Sequence, residues 1–199
     1  MPIVLPLFKY DRTHHVLGDN METIRTFISM AIPEMPAIID AKETLTAVSG
    51  IAVPKDIHMT LRFLGDVDVK KIKKLSEEMR SIEKYSSFDV SMKGLGAFPN
   101  VKEPRIVWIG AEVGTPFCDI LSEIDGMLDS LSIDYDRKPF KPHVTVGRVK
   151  RRSESLTDVL NKHRSQDMGS FRCSEILLMS SVLTQNGARH SVVGTFRLC

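Results

Sequence analysis

The sequence predicts a fold of mixed strands and helices in two related lobes packed into one body. Three observations carry that expectation. The order strand–helix–strand–helix–strand can be read twice along the 199 residues. One pattern, His-x-Thr-aliphatic, falls in the third of the five elements both times, as His58-Met59-Thr60-Leu61 and as His143-Val144-Thr145-Val146. No low-complexity stretch or linker parts the halves, so 21–199 is expected to pack as one bilobal body, with 1–20 as an N-terminal extension.

Each element has a local reason. The run IRTFISMAI (24–32) is rich in β-formers and stops at Pro33. Ile38, Ala41, Leu45 and Val48 recur at helical spacing, and Gly50 marks the stop. The strand carrying HMTLRFL follows, closed by Gly65-Asp66. Val69, Ile72, Leu75, Met79 and Ile82 then stripe a helix that Asp66 or Asp68 is placed to cap. FDVSMKGLGAF reads as a strand ending at Pro99-Asn100.

The order then begins again. RIVWIGAEV (105–113) reads as a strand, and Pro116 opens a helix striped by Phe117, Ile120, Leu121, Ile124, Leu128 and Leu131. PHVTVGRV is the next strand, and Leu156, Val159 and Leu160 mark the next helix. Two β-rich segments, FRCSEILLMSSVLT and SVVGTFRL, finish the chain across the turn signal Asn186-Gly187.

Composition narrows the function classes. With 42% hydrophobic and 26% charged residues the chain reads as an ordinary globular protein. A formal net charge of +2 speaks against a bulk polyanion binder while leaving room for local basic patches. Cys118, Cys173 and Cys199 are scattered and form no CxxC pair, which suggests neither a disulfide framework nor a thiolate zinc site and suits a reduced, cytoplasmic setting. No apolar run reaches the roughly 18 residues a membrane span needs.

On a strand the side chains alternate faces, so His58, Thr60 and Arg62 are expected to share one face and His143 and Thr145 another. A pseudo-twofold would bring these polar faces together across a cleft. Two imidazoles, two hydroxyls and nearby arginines suit metal-free chemistry on a phosphodiester. One imidazole takes a proton from the attacking water while the other protonates the departing oxygen. The hydroxyls can donate to phosphate oxygens, and Arg62 or Arg148 can offset the charge. Residue chemistry alone does not say which histidine does which. A lone strand histidine is usually structural, but the repetition favours function. A zinc site is the competing chemistry, and neither motif has an HExxH or an acidic residue at ligand spacing.

Other features have plainer readings beside functional ones. Lys70, Lys71, Lys73 and Lys74 read as a solvated helix face. Arg137, Lys138, Lys141, Arg148, Lys150, Arg151 and Arg152 bracket the second motif and make a better phosphate patch. Trp108 and Phe98 could stack a base, although Trp108 lies in an apolar strand that suits a core. His14, His15, His163 and His190 lack the repeated context and receive no role.

The paired HxTx motifs, LRFLGD after the first, FKPHVTVGR around the second and FP…PRIVWIGAEV between them resemble the 2H phosphoesterases. Within that superfamily they resemble RNA 2′,3′-cyclic phosphodiesterase, also called 2′-5′ RNA ligase, from about Met21 onward. The resemblance implies an α+β fold of two pseudo-symmetric lobes, each with an antiparallel sheet, facing across a central cleft, and metal-free opening of RNA 2′,3′-cyclic phosphates to 2′-phosphomonoesters. Some relatives also join RNA ends through a 2′-5′ bond. It further implies His58 as proton donor to the leaving 3′-oxygen, His143 as proton acceptor from water, and Thr60 and Thr145 as phosphate holders. No cofactor or metal is implied. The expected partner is RNA with a cyclic phosphate end, tRNA halves among the possible sources, and the expected state is a monomer. Residues 1–20 are extra relative to the family. Strict alternation turns Arg148, five residues after His143, away from it, whereas the family often has a basic residue there. Alternatives are a non-catalytic RNA-end or nucleotide binder and a related 2′-5′ or cyclic-nucleotide phosphodiesterase.

Overall fold

A computed structural model describes residues 22–185 and 187–199. The expected extension, 1–20, lies outside the described residues. Nine strands and four α-helices are described. In chain order they are β1 (Thr23–Ala31), α1 (Pro36–Thr46), β2 (Ile51–Ala52), β3 (His58–Asp68), α2 (Val69–Glu78), β4 (Phe88–Phe98), β5 (Ile106–Val113), α3 (Phe117–Ser130), β6 (His143–Val149), α4 (Glu154–Lys162), β7 (Asp167–Cys173), β8 (Glu175–Thr184) and β9 (Gly187–Arg197). A 3₁₀ segment, Met79–Lys84, prolongs α2.

The strands make two antiparallel sheets. One has the order β3-β1-β8-β9 and the other β2-β6-β5-β4-β7. The apolar positions of the helices face these sheets. Ile38, Ala41 and Leu45 of α1, Leu156 and Leu160 of α4, and Ile120, Ile124 and Leu128 of α3 are all buried. Asp68 caps α2 as expected, its carboxylate accepting from the Lys70 amide at 2.6 Å. That satisfies one of the free donors of the first turn.

The internal duplication is present in the topology, but the lobes are not the two halves of the sequence. Each half sends its last strand into the sheet of the other. β4 pairs with β5, and β8 pairs with β1. Aligning β3-β1-β8-β9 with β6-β5-β4-β7 superposes the first-motif strand on the second-motif strand. The exchange has a simple cause. β4 and β5 are joined by a short connection, which favours a hairpin, and the terminal β8–β9 hairpin must complete the remaining sheet.

One local expectation is corrected, and two features go beyond the sequence reading. Gly65-Asp66 does not close the first-motif strand: β3 runs on to Asp68, with a register shift opposite Thr26 and Phe27 absorbed where Gly65 takes φ 69°. The segment FRCSEILLMSSVLT is not one strand but breaks at Ser174, its two parts entering different sheets. The two-residue β2 is too short to leave a periodic signal in sequence.

Candidate functional site

His58 and His143 each begin a strand, β3 and β6, and these strands run close to one another where the lobes meet. His58 pairs with Ala31 and Thr60 with Ser29; His143 pairs with Gly110 and Thr145 with Trp108. Both imidazoles and both threonines are half-buried, while Met59, Leu61, Val144 and Val146 on the reverse faces are buried. The apolar alternation therefore anchors each strand and leaves its His-x-Thr face toward the cleft.

The residue after each threonine is the extra member of a β-bulge. On β3, Thr60 faces Ser29 but Arg62 faces Ile28, leaving Leu61 over. On β6, Thr145 faces Trp108 but Gly147 faces Val107, leaving Val146 over. A bulge shifts the alternation by one, so the next cleft-facing position is the fifth residue after each histidine. Those positions are Phe63 and Arg148.

This reassigns both arginines. Arg62 does not share the face of His58, as strict alternation led one to expect. It points to the helical side, where its Nε and Nη2 donate to the two carboxylate oxygens of Asp125 on α3 at 2.6 and 2.8 Å. Arg148, by contrast, returns to the face of His143. It is exposed, and its charge is felt at His58. Phe63 occupies the corresponding place in the other lobe, 43% exposed, with the Arg25 guanidinium 4.6 Å from its ring centre.

The two imidazoles sit in different environments. His143 Nδ1 lies 2.7 Å from the Lys141 carbonyl. A carbonyl only accepts, so Nδ1 carries the proton and Nε2 is left with the lone pair. Phe98 stands edge-on to this ring at 5.0 Å. His58 packs against Phe27 at 4.9 Å and against His190 at 5.1 Å. Burial, then the His190 ring, then the Arg148 guanidinium push His58 down to about 4, with Asp56 opposing.

His190 is the residue that sequence reasoning missed. It enters on β9, opposite Ser181, and its Nδ1 is buried without a hydrogen-bond partner. Nothing in RHSV marks it, because the strand reaches His58 only through the sheet order. His163 is instead turned to Gln166, and His14 and His15 lie outside the described residues. Trp108 is no core residue: it lies on the cleft face beside Thr145, 5.3 Å from Phe98. Of the basic cluster near the second motif, Arg137 pairs with Asp129, Lys138 with Asp136, and Arg151 hydrogen-bonds Ser49. Lys71, in the first-lobe lysine run, donates to the Ser132 carbonyl. Among the described residues no group of three or more His, Cys, Asp or Glu could hold a metal ion, and no helix is long and apolar enough to cross a membrane.

Comparison with known proteins places this arrangement in a family. Residues 37–108 match the LigT like Phosphoesterase model. The RNA 2′,3′-cyclic phosphodiesterase of Archaeoglobus fulgidus is 35% identical over 145 residues, which are 72% of this chain and 81% of that protein. Those of Methanothermobacter thermautotrophicus and Aquifex aeolicus are 31% and 33% identical, over 88% and 89% of this chain and 99% of each relative. The fold is shared with TT0787 of Thermus thermophilus, at a TM-score of 0.74 and 24% identity over 88% of this chain and 98% of that one. E. coli LigT complexed with NADP+ gives 0.71 at 20% identity over 89% and 99%. The chain thus belongs to the RNA 2′,3′-cyclic phosphodiesterase family of LigT-like 2H phosphoesterases.

Proposed function

We propose that this protein hydrolyses RNA 2′,3′-cyclic phosphate ends to 2′-phosphomonoesters by acid–base catalysis between His58 and His143, without a metal. The observation that carries the reading is the pair of half-buried imidazoles opening two pseudo-equivalent strands that run close to one another, each with a threonine two residues on. The names of the archaeal and bacterial relatives support the substrate class.

On this reading the resemblance assigns the proton movements, and the hydrogen bond at His143 supports one of them. His143, its Nδ1–H held by the Lys141 carbonyl, presents Nε2 to accept a proton from water. The water oxygen forms a bond to phosphorus, the bond from phosphorus to O3′ breaks, and His58 gives O3′ its proton. A 2′-phosphate and a 3′-hydroxyl result. Thr60 and Thr145 donate to the non-bridging oxygens, and Arg148 offsets their growing charge. Arg62 has no part in this scheme, since Asp125 holds it on the other face. A 5′-hydroxyl in place of water gives a 2′-5′ linkage by the same transfers.

His58 at about 4 is neutral at pH 7 in the free protein, yet a donor must be protonated. The phosphate anion supplies the missing stabilisation as it binds, so the acid is charged only in the complex. The natural substrates on this reading are cyclic-ended RNAs such as tRNA halves, met by a monomeric, cytoplasmic enzyme.

The test is a short RNA ending in a 2′,3′-cyclic phosphate, incubated in excess EDTA with identification of the product terminus. A 2′-phosphate from the wild type and none from His58→Ala or His143→Ala is expected. Turnover that survives both substitutions, or disappears with EDTA, overturns the mechanism. Binding without any turnover would instead make the protein an RNA-end binder.

A further inference from the structure

A groove of about 680 Å³ opens beside the second motif, within the usual size of ligand sites. Its lining includes Lys93, Gly96, Trp108, Gly110, Pro142 and Arg164. It is continuous with the candidate site, because Pro142 precedes His143, Gly110 pairs with His143 and Trp108 pairs with Thr145. The floor is shaped to receive a flat group. The Trp108 indole lies against Gly96, where an added Cβ would come within 2.2 Å of the ring, and it borders Gly110, where the gap would be 3.3 Å. The indole Nε1 is buried without a hydrogen-bond partner.

The charges sit beyond the aromatic floor. Lys93 pairs with Gly110 on the side away from His143, and Arg164 follows α4 beside Gly94. Both are exposed. One acidic residue, Glu112, also lines the groove and can accept from a base amino group. At the matching positions the pseudo-symmetric lobe has no aromatic floor. The place of Trp108 is taken there by Ser29, that of Gly110 by Ala31 and that of Gly96 by Leu177.

We propose that this groove carries the RNA strand leading to the cyclic end: Trp108 beds a base, and Lys93 and Arg164 take backbone phosphates on its 5′ side. An aromatic platform followed by cations along an open groove is how single strands are held without sequence readout. The inference rests on the proposed phosphodiesterase reading and deepens it by naming the path of the strand and the residues of this chain that hold it.

Trp108 is the single tryptophan of the chain, so its fluorescence reports groove occupancy independently of turnover. The experiment compares a nucleoside 2′,3′-cyclic phosphate with di-, tri- and tetranucleotides of the same 3′ end. Turnover and Trp108 quenching are both measured, the latter also with tetranucleotides ending in a 2′-phosphate. The wild type should show kcat/KM rising at least about tenfold from mononucleotide to tetranucleotide, as two added backbone-phosphate contacts allow. Quenching should strengthen with length. In the double variant Lys93→Ala/Arg164→Ala that ratio should collapse toward one, and the salt slope of tetranucleotide binding should fall by about 1.4, or 0.7 per lost phosphate contact. Turnover with no length dependence and unmoved Trp108 fluorescence overturns the groove while leaving the catalytic reading intact. Length-dependent quenching with no turnover of any RNA supports the groove and sinks the catalytic reading instead.

Discussion

The sharpest consequence of the site is that substrate charge and the proton on His58 are coupled. His58 sits at about 4 in the free protein, chiefly through burial. A singly charged phosphodiester placed about 4 Å from the ring gains about 4 kcal/mol with the imidazolium at an effective dielectric of about 20. At 1.36 kcal/mol per unit that is about three pKa units, which lifts His58 to about 7 in the complex. Linkage is reciprocal, so the anion must bind more tightly wherever it recruits a proton. With values of about 4 and 7, affinity at pH 5 should exceed that at pH 7 by about 50-fold. An unreactive methyl phosphodiester of a 3′-terminal nucleotide keeps one negative charge over this range and isolates the effect. Its dissociation constant would be measured at both pH values, with His58→Gln as the reference. The His58 ring would be titrated by NMR with and without saturating ligand. A free-protein midpoint near 6.5 would refute the reasoning by letting His58 take its proton without substrate, and a low midpoint that ligand leaves unmoved would refute it by leaving His58 no route to act as acid.

The two arginines should separate cleanly. Arg62→Met strands Asp125, which is partly exposed, and should cost about 2–3 kcal/mol, lowering Tm by roughly 5–10 °C. Arg148→Met should leave Tm nearly unchanged while kcat/KM falls about 10²–10³-fold, as expected for a lost charge-stabilising donor. His190→Phe removes the second cause of the His58 depression and a buried, unpartnered nitrogen. The His58 midpoint should rise, and thermal stability should stay within about 1 kcal/mol of the wild type or above it; an unmoved midpoint would assign the depression to burial alone. Acid stability follows the same logic. A histidine at about 4 when folded and about 6.5 when unfolded contributes its full stability above pH 6.5 and loses it as pH falls toward 4. His58→Gln should therefore flatten the loss by about 3 kcal/mol in denaturant titrations over that window.

Much of the fold could be read before the structure. The helix stripes, the caps and the two motif strands rest on period and local chemistry, which act over a few residues. The exchange of strands between lobes could not be read, because sheet order is decided by which edges remain free after the hairpins close. His190 was hidden for the same reason. Its neighbours His58 and Phe27 lie more than 130 residues away in sequence, and only the β8–β9 hairpin brings it beside them.

The motif itself contains more than its chemistry. His and Thr at alternate positions need only a strand, yet both tetrads end in an aliphatic residue that becomes the surplus member of a bulge. That residue is buried both times, Leu61 at 3% exposure and Val146 at 0%. Its side chain therefore fastens the point where the strand slips register by one. The slip decides which later residue sees the cleft, and the two lobes use it differently. In β6 it delivers the cation Arg148 to the proposed phosphate site. In β3 it delivers Phe63 and sends the neighbouring Arg62 to the helices as a structural ion pair. A polar residue in place of Leu61 or Val146 would have no apolar face to hold the extra position. The fifth residue would then turn away from the cleft. On this argument Val146→Thr should lower activity through the misplacement of Arg148, with His143 and Thr145 still present. The loss should be smaller when combined with Arg148→Met than the two single losses multiplied together. Independent, fully multiplicative effects would show that the bulge does not position the arginine.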